Sequence, residues 1–186
     1  MIICLKVLQI CRRFFSLKRI KLVLVGAGKI AHIHTTVYKK ISDELFIEVS
    51  YVLEPDIKKF EKWEKNYKKT FKGSTSPTRI NSLEELKDIQ EYVVMICSPN
   101  ETHSYYITKA LSLNAKAVIT EKPAFLKEKD LINFRRFDDK KLYLQENYFH
   151  STLLMNVKDF IKKEDLEIEE IYLEFSKGRR KDSINN

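Results

Sequence analysis

A chain of 186 residues can form one domain with a real core, or one domain and part of a second. Apolar content of 44% with 11% aromatic residues excludes a disordered chain, and no apolar run is long enough to span a bilayer. The formal charge of +8 does not describe a basic face: residues 1–42 hold nine Lys and Arg without one Asp or Glu, and the rest balances 25 basic against 26 acidic residues. Sequence-specific nucleic-acid binding is therefore not expected.

Residues 1–18 precede the first strand as a basic extension, with Ile2, Ile3, Leu5, Leu8, Ile10, Phe14 and Phe15 interleaved by Lys6, Arg12 and Arg13. The apolar part precedes most of the charges and no small-residue cleavage site follows, so it is a poor signal peptide. Contact with a membrane surface, packing as a helix on the body and an unstructured leader all stay open. Cys4, Cys11 and Cys97 form no ligand-like pair. No metal is expected, and a reducing cytoplasm suits the chain best.

The stretch around which the chain is organised runs from Lys21 to His34. An apolar run of strand length breaks at Gly26-Ala27-Gly28 and resumes with Ile30, Ala31, His34, Val37, Tyr38 and Ile41 at helical spacing. A strand that turns on glycines into a helix leaves backbone N–H groups pointing outward at the helix's positive end. Gly26, Ala27, Gly28, Lys29 and Ile30 thus form a candidate seat for a pyrophosphate. Gly26 makes the tight turn, Gly28 lets a phosphate approach, and Ala31 is the small residue on which helix and strand pack.

Residues 46–53 then read as a second strand, rich in β-branched and aromatic side chains, ending at Glu54-Pro55-Asp56. An acid at this strand end can accept both hydroxyls of an adenosine ribose and would repel a 2′-phosphate. NAD is therefore expected over NADP, although Lys58 and Lys59 lie close by. Ile57, Phe60, Trp63, Tyr67 and Phe71 form a helical stripe that packs on the sheet. Residues 73–77 read as a loop, and Ser82 to Glu85 as a capping box opening a short helix through Leu86 and Ile89.

Residues 92–97 are continuously apolar, as a strand buried on both faces requires. Ser98, Pro99 and Asn100 follow, with Asn100 as helix cap ahead of His103, Tyr106, Ile107, Ala110 and Leu111. A further strand over 115–120 ends at Glu121-Lys122-Pro123; a helix over 128–137 and a strand over 142–145 complete the alternation. The pattern is that of an α/β fold, a Rossmann-type doubly wound parallel sheet. Ligands of such sheets bind at the carboxyl ends of the strands, where Glu54, Ser98, Pro99, Asn100, His103, Glu121, Lys122 and Pro123 collect.

Together these strand ends resemble the glucose–fructose oxidoreductase / inositol dehydrogenase family, Gfo/Idh/MocA, over about residues 19–175. The opening Gly26 to Ala31 with His34, the Pro99-Asn100-x-x-His103 signature and the Glu121-Lys122-Pro123 motif carry the likeness. It implies a cofactor domain over 19–148 followed by an α/β domain with a large open sheet, of which 149–186 is the beginning. It implies hydride transfer between NAD(P) and the hydroxyl of a sugar, cyclitol or nucleotide sugar. On this resemblance Pro99, Asn100 and His103 lie by the nicotinamide half, and Lys122 is the catalytic residue reaching nicotinamide and substrate. The Lys122–Pro123 peptide is a candidate for a cis bond. For His34 the plain helix-face reading is preferred.

Residues 151–163 then read as a crossing helix, and Ile168, Ile171, Leu173 and Phe175 alternate as the first strand of a second sheet. The Asp-x-x-x-His motif that the family places beyond that strand is missing. The expectation is of a truncated member that binds cofactor without turnover. Its unpaired strand would either join a second copy, as a homodimer or an aggregate through residues 165–176, or fray. The alternative function is a non-catalytic module that binds a dinucleotide or a partner.

Overall fold

A computed structural model describes residues 20–45, 47–145, 151–170 and 172; the leader lies outside them. Six parallel strands form one sheet in the order β3-β2-β1-β4-β5-β6. The strands are β1 (Ile20–Val25), β2 (Ile47–Leu53), β3 (Thr78–Ile80), β4 (Tyr92–Ile96), β5 (Ala117–Thr120) and β6 (Leu142–Leu144). Helices α1 (Lys29–Leu45), α2 (Ile57–Thr70), α3 (Asn100–Ser112) and α4 (Glu128–Phe134) connect them. This is the doubly wound arrangement, with its switch point between β1 and β4.

Alternation along the strands divides the core into two layers. Leu22 and Leu24 of β1 face α1 and α2, in a cluster with Ala31, Tyr38, Phe60, Trp63 and Tyr67. Val23 and Val25 face the other way, toward Ile107, Ala110 and Leu111 of α3. The α2 stripe is as its spacing predicts except at Ile57, which is exposed in the first turn, where Asp56 caps the helix by accepting from the Lys58 and Lys59 N–H groups.

The chain departs from its sequence pattern in several places. β3 is only three residues long, too short for alternation to show, and it extends the sheet where the pattern ends in a loop. Residues 83–86 form a single 3₁₀ turn, held by Glu85 Oε1 accepting from the Asn81 and Ser82 N–H groups. Pro99, not Asn100, occupies the cap position of α3: the Pro99 carbonyl accepts from the Thr102 N–H at 2.9 Å, and Asn100 is the first helical residue. α4 stops at Phe134, since the Arg135 N–H already bonds to both the Leu131 and Ile132 carbonyls and tightens the last turn.

Residues 149–186 form a second compact unit. It contains α5 (Thr152–Lys163), whose Leu153, Val157 and Phe160 are exposed. Residues 166–170 and 172 are not in a strand; the other residues of the predicted strand lie outside the described ones. Alternating side chains define two faces, but a strand also needs a neighbour, and no described residue pairs with this segment.

Candidate functional site: the carboxyl edge of the sheet

Register puts the chemistry in one row. Val25 pairs with Leu53 and with Ile96, and Ile96 pairs with Thr120. The next residues of these strands, Gly26, Glu54, Cys97 and Glu121, therefore line the carboxyl edge side by side. Ser98, Pro99, Lys122 and Pro123 follow at once.

The glycine turn is built into this edge. The Gly26 N–H donates to the Leu53 carbonyl at 2.8 Å, and Gly26 has φ of +90°. A Cβ there would stand 2.9 Å from Ser98 N and 3.0 Å from Cys97 C, too close for any side chain. Only glycine serves. At Gly28 nothing lies within 4 Å of where a Cβ would be, so the turn opens onto free space. Lys29 and Ile30 begin α1 and are exposed beside that opening.

Glu54 is 7% exposed, and backbone donors hold both carboxylate oxygens. Oε2 accepts from the Ala27 N–H at 2.8 Å and Oε1 from the Asp56 N–H at 3.0 Å. Arg79 on β3 fixes the same corner: its Nε donates to the Glu54 carbonyl and its Nη2 to the Pro55 carbonyl, each at 2.9 Å. Between this corner and α3 lies a cavity of about 270 Å³, reached by Gly26, Glu54, Lys59, Ser98, Pro99 and Tyr106. A cavity of this size is near the lower end of the range for small-ligand sites. The seat for the diphosphate fits less simply, because Glu54 already takes the Ala27 N–H. Arg79 and Tyr106 were not legible as site residues: one sits in a strand too short to recognise, the other on a helix face that reads as core. Burial, then Tyr105, then Glu54, holds the Tyr106 phenol above its ordinary range.

Toward β5 the edge is tied by two histidines. His34 on α1 is buried and places Nε2 2.8 Å from Glu121 Oε1. A carboxylate only accepts, so Nε2 carries a proton, while the buried Nδ1 has no hydrogen-bond partner among the described residues. His103 on α3 is fully buried, with Nδ1 2.7 Å from the Pro123 carbonyl and Nε2 2.9 Å from the Ser98 carbonyl. Both oxygens are acceptors, so a singly protonated ring donates to one of them and only a doubly protonated ring to both; either way His103 lies between the two turns of the edge. Ser98 Oγ meets Thr102 Oγ1 at 2.7 Å. Burial, reinforced by Glu121, pushes the Cys97 thiol well up and keeps it protonated. Asn100 is exposed at the start of α3. Lys122 is exposed as well, and it does not line the 270 Å³ cavity. The Lys122–Pro123 peptide is cis. Among the described residues no group of His, Cys, Asp and Glu is arranged to hold a metal.

Comparison with family models decides the kinship: the family described as "Oxidoreductase family, NAD-binding Rossmann fold" matches residues 20–140. The chain belongs to the Gfo/Idh/MocA family. Its solved neighbours share the fold at low identity. The scyllo-inositol dehydrogenase of Lactobacillus casei has a TM-score of 0.65 at 16% identity, over 81% of this chain and 43% of its own. The WlbA dehydrogenase of Chromobacterium violaceum, solved with NADH and UDP-GlcNAcA, has a TM-score of 0.67 at 19%, over 81% and 41%. A myo-inositol dehydrogenase of Corynebacterium glutamicum has a TM-score of 0.61 at 18%, over 80% and 42%. This member of the family thus spans about two-fifths of the length of these enzymes. No curated protein matches the sequence. No helix among the described residues is long and apolar enough to cross a membrane.

Proposed function

We propose that this Gfo/Idh/MocA chain supplies the cofactor half of an NAD-dependent oxidoreductase that acts on the hydroxyl of a sugar, cyclitol or nucleotide sugar. The observation that carries the cofactor choice is the Glu54 carboxylate at the rim of the 270 Å³ cavity, oriented by the Ala27 and Asp56 N–H groups. Each oxygen has spent one lone pair on a backbone donor and keeps another for a ribose hydroxyl. The same charge opposes a 2′-phosphate, so NAD is favoured over NADP. The substrate class follows from the inositol dehydrogenases and the nucleotide-sugar complex among the solved neighbours.

NAD, if bound here, would supply the hydride acceptor of the proposed reaction. The chain's own part is to seat the diphosphate over the opening at Gly28, hold the ribose on Glu54, and present Lys122 at the end of β5. An ammonium group at that place can polarise the substrate oxygen and hold its proton. Hydride transfer also needs the hydroxyl carbon held against the ring, and positioning of that kind accounts for up to roughly 7–11 kcal/mol of a barrier. Because the chain spans about two-fifths of the length of its solved neighbours, we expect cofactor binding without turnover by these 186 residues alone.

Calorimetric titration with NADH and NADPH tests the cofactor reading, and equal or reversed affinities would remove Glu54 from the site. NAD⁺ reduction over a panel of polyols and nucleotide sugars tests the rest. Turnover above background that vanishes in Lys122→Ala would refute the claim of inactivity.

A further inference from the structure

Lys122 stands between two gripped neighbours. Glu121, before it, is held through its side chain by His34, which comes from the layer of α1 and α2. Pro123, after it, is held through its carbonyl by His103, which comes from the opposite layer with α3. The grip continues in the backbone: the Glu121 N–H donates to the Ile96 carbonyl at 3.2 Å, and Thr120 Oγ1 donates to the Glu121 carbonyl at 3.1 Å. The other ring nitrogen of His103 lies 2.9 Å from the Ser98 carbonyl, so the ring stands between the turn after β4 and the turn after β5.

We propose that His34 and His103 are positioning residues for Lys122, which clamp the residues on either side of it from opposite faces of the sheet and so fix where its ammonium group is presented. The inference rests on the reading of Lys122 as the residue of the nicotinamide end. A lysine side chain is a flexible four-carbon stem with many rotamers open to it. A side chain this long is placed first by the backbone beneath it, so where its ammonium group can reach depends on how firmly that backbone is held. Displacement by as little as 1 Å at a reacting group costs on the order of a hundredfold in rate. Two buried imidazoles, each joined at 2.7–2.8 Å to the residue next to Lys122, meet that need. Neither ring has to touch the cofactor. This accounts for the position of His103 within a cofactor-binding signature although both its nitrogens face backbone carbonyls.

The test uses the full 186-residue chain and two probes, NADH and ADP-ribose, which lacks the nicotinamide. Glu121→Ala removes the acceptor of the His34 N–H without altering Lys122. Calorimetry should show NADH weakened roughly tenfold in both Glu121→Ala and Lys122→Ala, the value of one hydrogen bond to a charged group. ADP-ribose affinity should be unchanged in both variants. The double variant should be no worse than Lys122→Ala, because the clamp acts through the lysine. Glu121→Gln, which keeps an acceptor for His34, should recover most of the loss.

Equal weakening of ADP-ribose and NADH in Glu121→Ala would overturn the proposal and make the contact ordinary fold stabilisation. So would a Glu121→Ala protein that binds NADH normally while Lys122→Ala does not. If Lys122→Ala itself leaves NADH binding unchanged, the reading of Lys122 fails and the clamp with it. Should Glu121→Ala not fold, His34→Phe, which keeps the stacking on Tyr38 and lacks the donor, carries the same comparison.

Discussion

Glu54 Oε2 accepts the Ala27 N–H at 2.8 Å, so the acid that ends β2 closes onto the turn that ends β1. The acid we propose for the ribose and the turn we propose for the diphosphate are thereby joined, and the direction of the carboxylate is set before any ligand arrives.

Glu54→Gln tests that unit. The amide nitrogen cannot accept from Ala27 or Asp56, and the charge that opposes a 2′-phosphate is gone. NADH affinity should fall roughly tenfold, the loss expected for one hydrogen bond to a charged group. The preference for NADH over NADPH should narrow at the same time. Titration of both cofactors checks it, and an unchanged preference would show that the charge of Glu54 does not set it.

The two glycines of the turn should respond differently to the same substitution. Gly26→Ala must tolerate φ of +90° and a Cβ at 2.9 Å from Ser98 N. Backbone strain of this kind alone costs roughly 1–3 kcal/mol. At about 2–4 °C per kcal/mol for a chain this long, the melting temperature should drop by several degrees. Gly28→Ala has open space and should melt with the parent protein while weakening NADH and NADPH alike. A Gly28→Ala protein that binds both as tightly as the parent would exclude the turn as the diphosphate seat.

The parts of this site that were legible are those written in backbone chemistry. A glycine pair between a strand and a helix, and an acid at the next strand end, announce themselves because few other residues can do the work at those places. The His34–Glu121 contact is of another kind. Its partners are 87 positions apart, and nothing near His34 separates a buried ligand of Glu121 from a histidine on a helix face. It exists only once the parallel sheet sets β1 and β5 on either side of β4 with their carboxyl ends level. His103 is intermediate: its place in the signature was visible, its position between two backbone carbonyls was not. β3 was missed because three residues show no period. At residues 168–175 the period was visible, but the described part forms no strand, since a pattern of faces does not supply a neighbour to pair with.

Trp63 gives a direct probe of the first core layer. It is the only tryptophan in the sequence, it is fully buried, and its Nε1–H donates to Thr35 Oγ1 at 2.9 Å. Thr35→Val keeps the shape and removes the acceptor, leaving a buried donor unpaired. A loss of roughly 1–3 kcal/mol is expected. Denaturant unfolding followed by the fluorescence of this single indole measures it, and a midpoint equal to the parent's would mean that the indole finds another acceptor.

Tyr67 links the same layer to alkaline pH. Its ring lies between Trp63, at 5.2 Å, and Phe71, at 4.7 Å between centroids. Burial first, and the Glu48 carboxylate second, push its phenol from 10.0 up to about 12, against a hydrogen bond with Val49 that lowers it. The folded value lies above the unfolded one, so the unfolded chain loses this proton first. Its contribution to stability is complete below pH 10 and is lost as pH rises from 10 to about 12. A shift of this size amounts to roughly 2–3 kcal/mol over that window. Tyr92 and Tyr106 are raised by burial too and add to the decline. Tyr67→Phe should therefore lose stability at neutral pH through the missing Val49 bond, by about 1 kcal/mol. Above pH 10 it should decline less steeply than the parent, and the two curves should converge or cross before pH 12. Denaturant midpoints measured across this range decide the matter: parallel curves for Tyr67→Phe and the parent would show that Tyr67 ionises no differently in the folded and unfolded chains.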